Sequence, residues 1–194
     1  AMTIRLGVIM DAIEGISVKK DSTLAMLIAA KARGWDVYYM QQSDLYLESG
    51  NAMCRAQRLS AVSYDPSNWY HAEAQKELEL AGFDVLLMRK DPPFDNEYIY
   101  TTYILDAAER QGVLVVNRPS SLRDCNEKMF ATQFTNCTPP LLVSRNPVQL
   151  RDFLGLHRDV VMKPLDGMGG TMIFRVRLDD PKISVIIETL TDFG

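Results

Sequence analysis

The chain has 194 residues, 47% hydrophobic and 24% charged, with a formal net charge of −4. That composition suits a globular protein of one large or two small domains, able to bury about two thirds of its unfolded surface. The acidic balance speaks against a protein that tracks nucleic-acid phosphates, and no apolar run reaches the roughly 18 residues of a membrane span.

Residues 4–10 read as a first β-strand that ends at Asp11. Residues 17–23 are polar, with Asp21 or Ser22 placed to cap a helix. Leu24, Met26, Leu27, Ile28 and Ala30 mark that helix, Gly34 closes it, and residues 35–40 form a second strand. A βαβ opening predicts a parallel sheet with right-handed crossovers. Residues 45–62 predict a hairpin about Ser49-Gly50-Asn51, an insertion in the βα pattern suited to a flap or an oligomer contact. Residues 64–70 read as a loop with aromatic side chains, and 73–80 as a short helix ending at Gly82.

Residues 83–88 predict a third sheet strand, followed by Arg89-Lys90-Asp91-Pro92-Pro93-Phe94-Asp95. Open α/β sheets bind ligands at the carboxyl ends of their strands, which is where these two cations fall. Arg89 can grip a carboxylate with paired hydrogen bonds, and the prolines stiffen the loop. Residues 96–111 predict a helix with Tyr98, Ile99, Tyr103, Ile104 and Leu105 inward, and 113–116 a fourth strand. A loop over 117–123 leads into a helix over about 121–134 that carries Lys128. Thr138-Pro139-Pro140 breaks the chain and is the stretch where the sequence best suggests a domain boundary. Residues 141–143 predict a strand, 147–156 a helix and 183–190 a closing β-rich run.

Between the last two lies the most distinctive stretch. Residues 160–162 predict a short buried strand, and Lys163 is the charge at its end. Asp166-Gly167-Met168-Gly169-Gly170 then places three glycines in four positions. Such a loop admits positive φ and presents successive N–H groups that suit phosphate oxygens. It lacks the Gly-Lys-Ser/Thr of a P-loop, and no helix pattern follows it as the dinucleotide fingerprint requires. An Asp-Gly turn beside a solvated lysine accounts for the same residues. The stretch alone leaves both readings open.

Cys54, Cys125 and Cys137 are odd in number and show no C-x-x-C spacing, which argues against a disulfide framework or a zinc site. His71 and His157 lie far apart and read as surface residues. No basic segment followed by an apolar one opens the chain, so no secretory signal is expected and a reducing cytoplasm is the expected home. Ala1 before Met2 reads as a tag remnant.

Three motifs occur together and in order: Met88-Arg-Lys-Asp-Pro-Pro-Phe-Asp95, Asn117-x-Pro-x-Ser-Leu-Arg-Asp-x-Asn-Glu-Lys128 and Lys163-Pro-Leu-Asp-Gly-Met-Gly-Gly170. With them the chain resembles the bacterial glutathione synthetases, which are ATP-grasp ligases, from Leu6 to Glu188 and beyond. The resemblance implies an α/β fold. A parallel-sheet, Rossmann-like pre-ATP-grasp domain would cover residues 1–122, with the hairpin near 45–62. The incomplete first part of an ATP-grasp nucleotide-binding domain would cover 123–194.

By the same resemblance the activity is ATP-dependent ligation of γ-L-glutamyl-L-cysteine to glycine through an acyl phosphate, giving glutathione, ADP and phosphate. Lys128 and Lys163 would contact ATP, and Asp166, Gly167, Met168, Gly169 and Gly170 would form the loop over its phosphates. Arg89 and Lys90 are assigned to the peptide substrate on position and charge, with only loose support from the resemblance. No catalytic residue is assigned. Magnesium is implied, with its ligands expected in a C-terminal part outside these residues. The implied partners are small molecules and further copies in a homo-oligomer, not nucleic acid or membrane. Family chains are much longer, so this one is expected to be a fragment that is inactive alone. Two alternatives stand beside this reading: another ATP-grasp carboxylate–amine ligase, and a non-catalytic nucleotide-binding or assembly module.

Overall fold

The apolar run of β1 (Arg5–Ile9) is what a strand covered on both faces requires, and Leu6, Val8 and Ile9 are all buried. The computed structural model describes residues 3–166 and 170–193. These fall into two compact units, Ala1–Asp124 and Cys125–Gly194.

In the first unit β1 leads through α1 (Ser22–Ala32) to β2 (Asp36–Met40). Asp21 caps α1 by accepting from Leu24 N–H at 2.8 Å, a contact worth about 1 kcal/mol. Gly34 ends it with φ +74°, the left-handed conformation that glycine adopts without strain. β3 (Leu45–Glu48) and β4 (Asn51–Val62) form the hairpin. β5 (Tyr70–Ala72), β6 (Lys76–Glu79) and β7 (Val85–Met88) come next, then α2 (Asn96–Arg110), β8 (Leu114–Val116) and α3 (Pro119–Asp124).

The sheet order is β3-β4-β2-β1-β7-β8, with β5 and β6 also paired to β4. β2, β1, β7 and β8 run parallel, so the carboxyl ends of β1, β2 and β7 share one edge. One apolar cluster includes Ile9, Met40, Leu86 and Leu105. The other includes Leu6, Val8, Leu27 and Leu59.

Several expectations for this unit change. Residues 45–62 are not a free flap. β4 joins the main sheet antiparallel to β2, with Tyr38 opposite Arg58 and Tyr39 opposite Gln57. The Arg58 guanidinium reinforces the join by holding Asp36 at 2.7 Å and Glu73 at 3.0 Å. Residues 73–80 are not a helix. Lys76-Glu-Leu-Glu79 are good helix formers, but they pair with residues 53–56 of β4 as β6, and only one turn of 3₁₀ helix follows at Leu80–Gly82. In α2, Tyr98 and Leu105 are buried as expected, whereas Tyr103 faces outward and Thr101 and Thr102 are buried instead.

The second unit contains α4 (Glu127–Phe130), α5 (Pro147–His157), β9 (Asp159–Met162), β10 (Phe174–Arg177) and α6 (Ile183–Thr191). β9 and β10 are antiparallel, with Met162 opposite Phe174. Leu154, Val176 and Ile186 make a small core, joined by Val160, Met162, Phe174, Ile183 and Leu190.

Five expectations change here. The helix over 121–134 is interrupted, because the Asn126 side chain accepts from Lys128 N–H and Met129 N–H and starts α4 afresh. Residues 141–143 form no strand, and Leu141 and Val143 are exposed. β9 is not buried on both faces: Val161 is 60% exposed, while Val160 and Met162 pack inward. The β-rich run at 183–190 is helical. Ile183, Ile186, Ile187 and Leu190 have the spacing of one helix face, and burying that stripe outweighs the strand preference of β-branched residues. Thr138-Pro139-Pro140 is not the domain boundary: it lies within this unit, and the division falls between Asp124 and Cys125.

Candidate functional site

Two places gather polar chemistry, one in each unit. In the first, β1 and β7 are neighbours, so the residues just past each strand meet at the carboxyl edge. Arg89 N–H donates to Ile9 O at 2.7 Å and extends the pairing by one residue. Beyond it the two cations diverge.

Arg89 turns to the first turn of α1. Its Nε donates to Thr23 Oγ1 at 3.0 Å and its Nη2 to Ser22 Oγ at 2.9 Å. A cation at the positive end of a helix gains nothing from the dipole, so these two hydroxyls hold it there. Lys90 turns to Asp11. Its Nζ lies 2.9 Å from Asp11 Oδ1 and donates to Asp91 O at 2.7 Å. Asp11 Oδ2 accepts from Asp91 N–H at 2.9 Å, so one carboxylate fixes both the ammonium and the loop.

A cleft of about 330 Å³ opens at this edge, lined by Met10, Asp11, Gln41, Gln42, Ser43, Lys90, Pro93, Asp95 and Glu97. Lys90 is part of its wall and Arg89 is not. Gln42 is part of the wall, and its Nε2 is buried without a hydrogen-bond partner among the described residues. Asp95 caps α2 by accepting from Tyr98 N–H at 2.9 Å. Sequence reasoning assigned no role to Asp11, Gln42 or Glu97. The position of Asp11 at the end of the first strand was a usable signal. Gln42 and Glu97 carried none, because only the sheet order brings residues after β2 and at the start of α2 to one cavity.

In the second unit, Lys128 Nζ donates to Leu165 O at 2.9 Å and lies 3.3 Å from Glu127 Oε1. Its side chain is 16% exposed. Lys128 is thus brought to the chain between Lys163 and Asp166. Lys163 is exposed, and among the described residues its ammonium makes no hydrogen bond or ion pair. Asp166 is also exposed, and Gly170 has φ +78°, a conformation that favours glycine. Gly167, Met168 and Gly169, expected in the loop, lie outside the described residues. The ends of β9 and β10 flank this loop. Across them Arg175 forms a two-pronged contact with Asp159, at 3.0 and 2.7 Å, and holds that carboxyl below the usual carboxylate range.

The described part of this second place offers two ammonium groups at the root of a loop, against Asp166 and the exposed Glu127. That donor set fits a polyphosphate. No comparable set exists for a divalent cation: among the described residues no three His, Cys, Asp or Glu side chains group to hold a metal ion.

Two family models match the chain in the same order as the two units. The prokaryotic glutathione synthetase N-terminal domain matches residues 4–123, and the prokaryotic glutathione synthetase ATP-grasp domain matches 127–194. The chain belongs to the prokaryotic glutathione synthetase family.

Relatives agree with that membership. The glutathione synthetase of Pseudomonas aeruginosa is 59% identical over 193 residues, which is 100% of this chain and 61% of that protein. The glutathione synthetase of Escherichia coli is 53% identical over 191 residues, 98% of this chain and 60% of that protein. The chain therefore spans about 60% of the length of the curated relatives it matches. Among solved structures, a D-cycloserine synthetase superposes with TM-score 0.60 at 12% identity, over 97% of this chain and 55% of that one. The D-alanyl-alanine synthetase A of Vibrio cholerae gives 0.53 at 14%, over 100% and 58%. These distant likenesses speak to the fold: an α/β first domain and the start of an ATP-grasp domain.

Proposed function

We propose that the full-length protein is a glutathione synthase. It joins γ-L-glutamyl-L-cysteine to glycine with ATP, giving glutathione, ADP and phosphate. The observation that carries this reading is the tie from Lys128 Nζ to Leu165 O in a chain of this family, because it draws both motif lysines to one loop.

Lys128 and Lys163 are the proposed ATP-contacting lysines, and residues Asp166 to Gly170 the proposed loop over the phosphates. The substrate carboxylate must attack a γ-phosphoryl group, and both are anions. Two ammonium groups and an array of backbone N–H donors lower that repulsion and stabilise charge on the transferring group. A carboxylate oxygen bonds to phosphorus as the bond to ADP breaks. The glycine amine then bonds to the acyl carbon, loses a proton and expels phosphate. A glycine-rich loop closing over the site keeps water from the activated acyl group.

Arg89 and Lys90 are proposed to meet the carboxylates of the peptide. A carboxylate beside Ser22 and Thr23 would suit Arg89, which otherwise stands as a cation at the positive end of α1. Magnesium would neutralise phosphate charge, and we place its ligands in the part of the longer relatives that this chain does not cover. For the same reason the 194-residue chain by itself is proposed to lack turnover. A homo-oligomer in the cytoplasm is the proposed working form. Among the described residues no helix is long and apolar enough to cross a membrane.

The test is ligation by the full-length protein. Glutathione formed in step with ADP, dependent on both γ-glutamylcysteine and glycine, is the expected result. ADP release with other dipeptides but not this one would point to a different carboxylate–amine ligase.

A further inference from the structure

The cleft at the carboxyl edge of the first unit is unbalanced in charge and unequal in commitments. Its wall carries Asp11, Asp95 and Glu97 against a single ammonium, Lys90. Asp11 is committed to Lys90 and to Asp91 N–H, and Asp95 to the start of α2. The Glu97 carboxylate, by contrast, has no hydrogen bond or ion pair among the described residues. Gln42 lines the same wall, and its Nε2 is buried without an acceptor among the described residues. A buried donor left unpaired is costly, and such groups are rare unless something binds them. Lys90 has three N–H donors, of which Asp11 and Asp91 O take two, so one remains.

Around one cavity, then, and counting the described residues, stand a carboxylate and an amide donor without partners and an ammonium with a donor to spare. A metal ion needs several converging ligands, and among the described residues no three His, Cys, Asp or Glu side chains group to hold one. A simple anion would meet three carboxylates. An α-amino-acid head group answers all three features, since its ammonium and carboxylate sit on the same carbon. Resting on the glutathione synthase reading, we propose that this cleft receives the α-amino-acid head of the γ-glutamyl group, its ammonium on Glu97 and its carboxylate on Gln42 Nε2 and Lys90. The reacting carboxylate belongs to the cysteinyl end, several bonds away. The head group is therefore a remote handle whose binding energy positions the substrate and shows chiefly in KM.

The experiment uses the full-length protein and three substrates: γ-glutamylcysteine, glutarylcysteine (no α-amino group) and 4-aminobutyrylcysteine (no α-carboxylate). Glu97→Gln should raise KM about tenfold for the two substrates with an amino group and leave glutarylcysteine unchanged, as expected for one lost charge-assisted contact. Gln42→Met should raise KM for the two substrates with an α-carboxylate and leave 4-aminobutyrylcysteine unchanged. Glu97 is exposed, so its substitution should leave the melting temperature in place. Glu97→Gln with equal effects on all three substrates, or with none, overturns the proposal. Failure of the unsubstituted protein to ligate γ-glutamylcysteine is a different result, and it overturns the reading on which the proposal rests.

Discussion

Lys128 Nζ and Leu165 O meet at 2.9 Å, so a lysine from the short helix after Asn126 is tied to the root of the loop that begins at Asp166. Lys163, two residues before Leu165, has no such tie among the described residues. The two lysines should therefore separate in stability while agreeing in function. Lys128→Ala should cost about 1 kcal/mol of stability, the usual net value of one hydrogen bond. Lys163→Ala should stay within about 0.5 kcal/mol of the parent, as exposed substitutions do. In the full-length protein each should raise KM for ATP about tenfold or more. Thermal melts beside ADP-release kinetics check both halves.

Asp11 holds Lys90 at 2.9 Å and Asp91 N–H at 2.9 Å, and so shapes the edge of the cleft. Asp11→Ala removes both contacts and should destabilise the first unit by about 1–2 kcal/mol. Asp11→Asn keeps an acceptor for Asp91 N–H and should lose about half of that. Urea unfolding of the three proteins gives the comparison. Equal stability of Asp11→Ala and the parent would deny the carboxylate its structural part.

Gly7 sits in β1 where a Cβ would lie 2.7 Å from Leu86 Cδ2, 3.0 Å from Met40 Cε and 3.2 Å from Phe83 Cδ1. All three neighbours are buried in one cluster, so none can yield freely. Gly7→Ala should cost about 1–3 kcal/mol by overpacking. A denaturation midpoint unchanged by this substitution would contradict the packing described for β1.

Cys54 is buried in the first unit's core, and burial pushes its thiol up to about 12. An unfolded thiol titrates near ~8.5, so the folded chain holds this proton more tightly. The stabilisation is fully present below that value and is lost progressively as the pH rises from ~8.5 toward 12. Cys54→Ala should flatten the alkaline decline in a pH series of denaturation midpoints. At pH 8, a thiol reagent should find exposed Cys125 and Cys137 in the native protein and Cys54 only after unfolding.

The sheet strands with continuous apolar runs were legible in the sequence, because double-sided burial writes itself into composition, as at Val8 and Leu86. So was the first helix, through its cap Asp21. Residues 73–80 and 183–190 were misread for opposite reasons. In the first, helix-forming residues are recruited as an edge strand by β4, a partner some twenty positions earlier. In the second, β-branched residues lie on one helix face, and their spacing held the answer that their identity hid. Of the candidate sites, the cations and the glycine loop stood out as local motifs. Gln42 and Glu97 did not, since their meeting depends on strand order and on nothing near them in the chain.

On the proposed reading, the two motif lysines and their loop serve ATP in glutathione synthesis. The most direct measurement is glutathione and ADP formed by the full-length protein from γ-glutamylcysteine, glycine and ATP, with and without Lys163→Ala. The expected result is equal amounts of the two products from the parent, and a KM for ATP raised about tenfold in the variant, whose melting temperature is unchanged. No glutathione from the parent, or an unchanged KM for ATP in the variant, would contradict it.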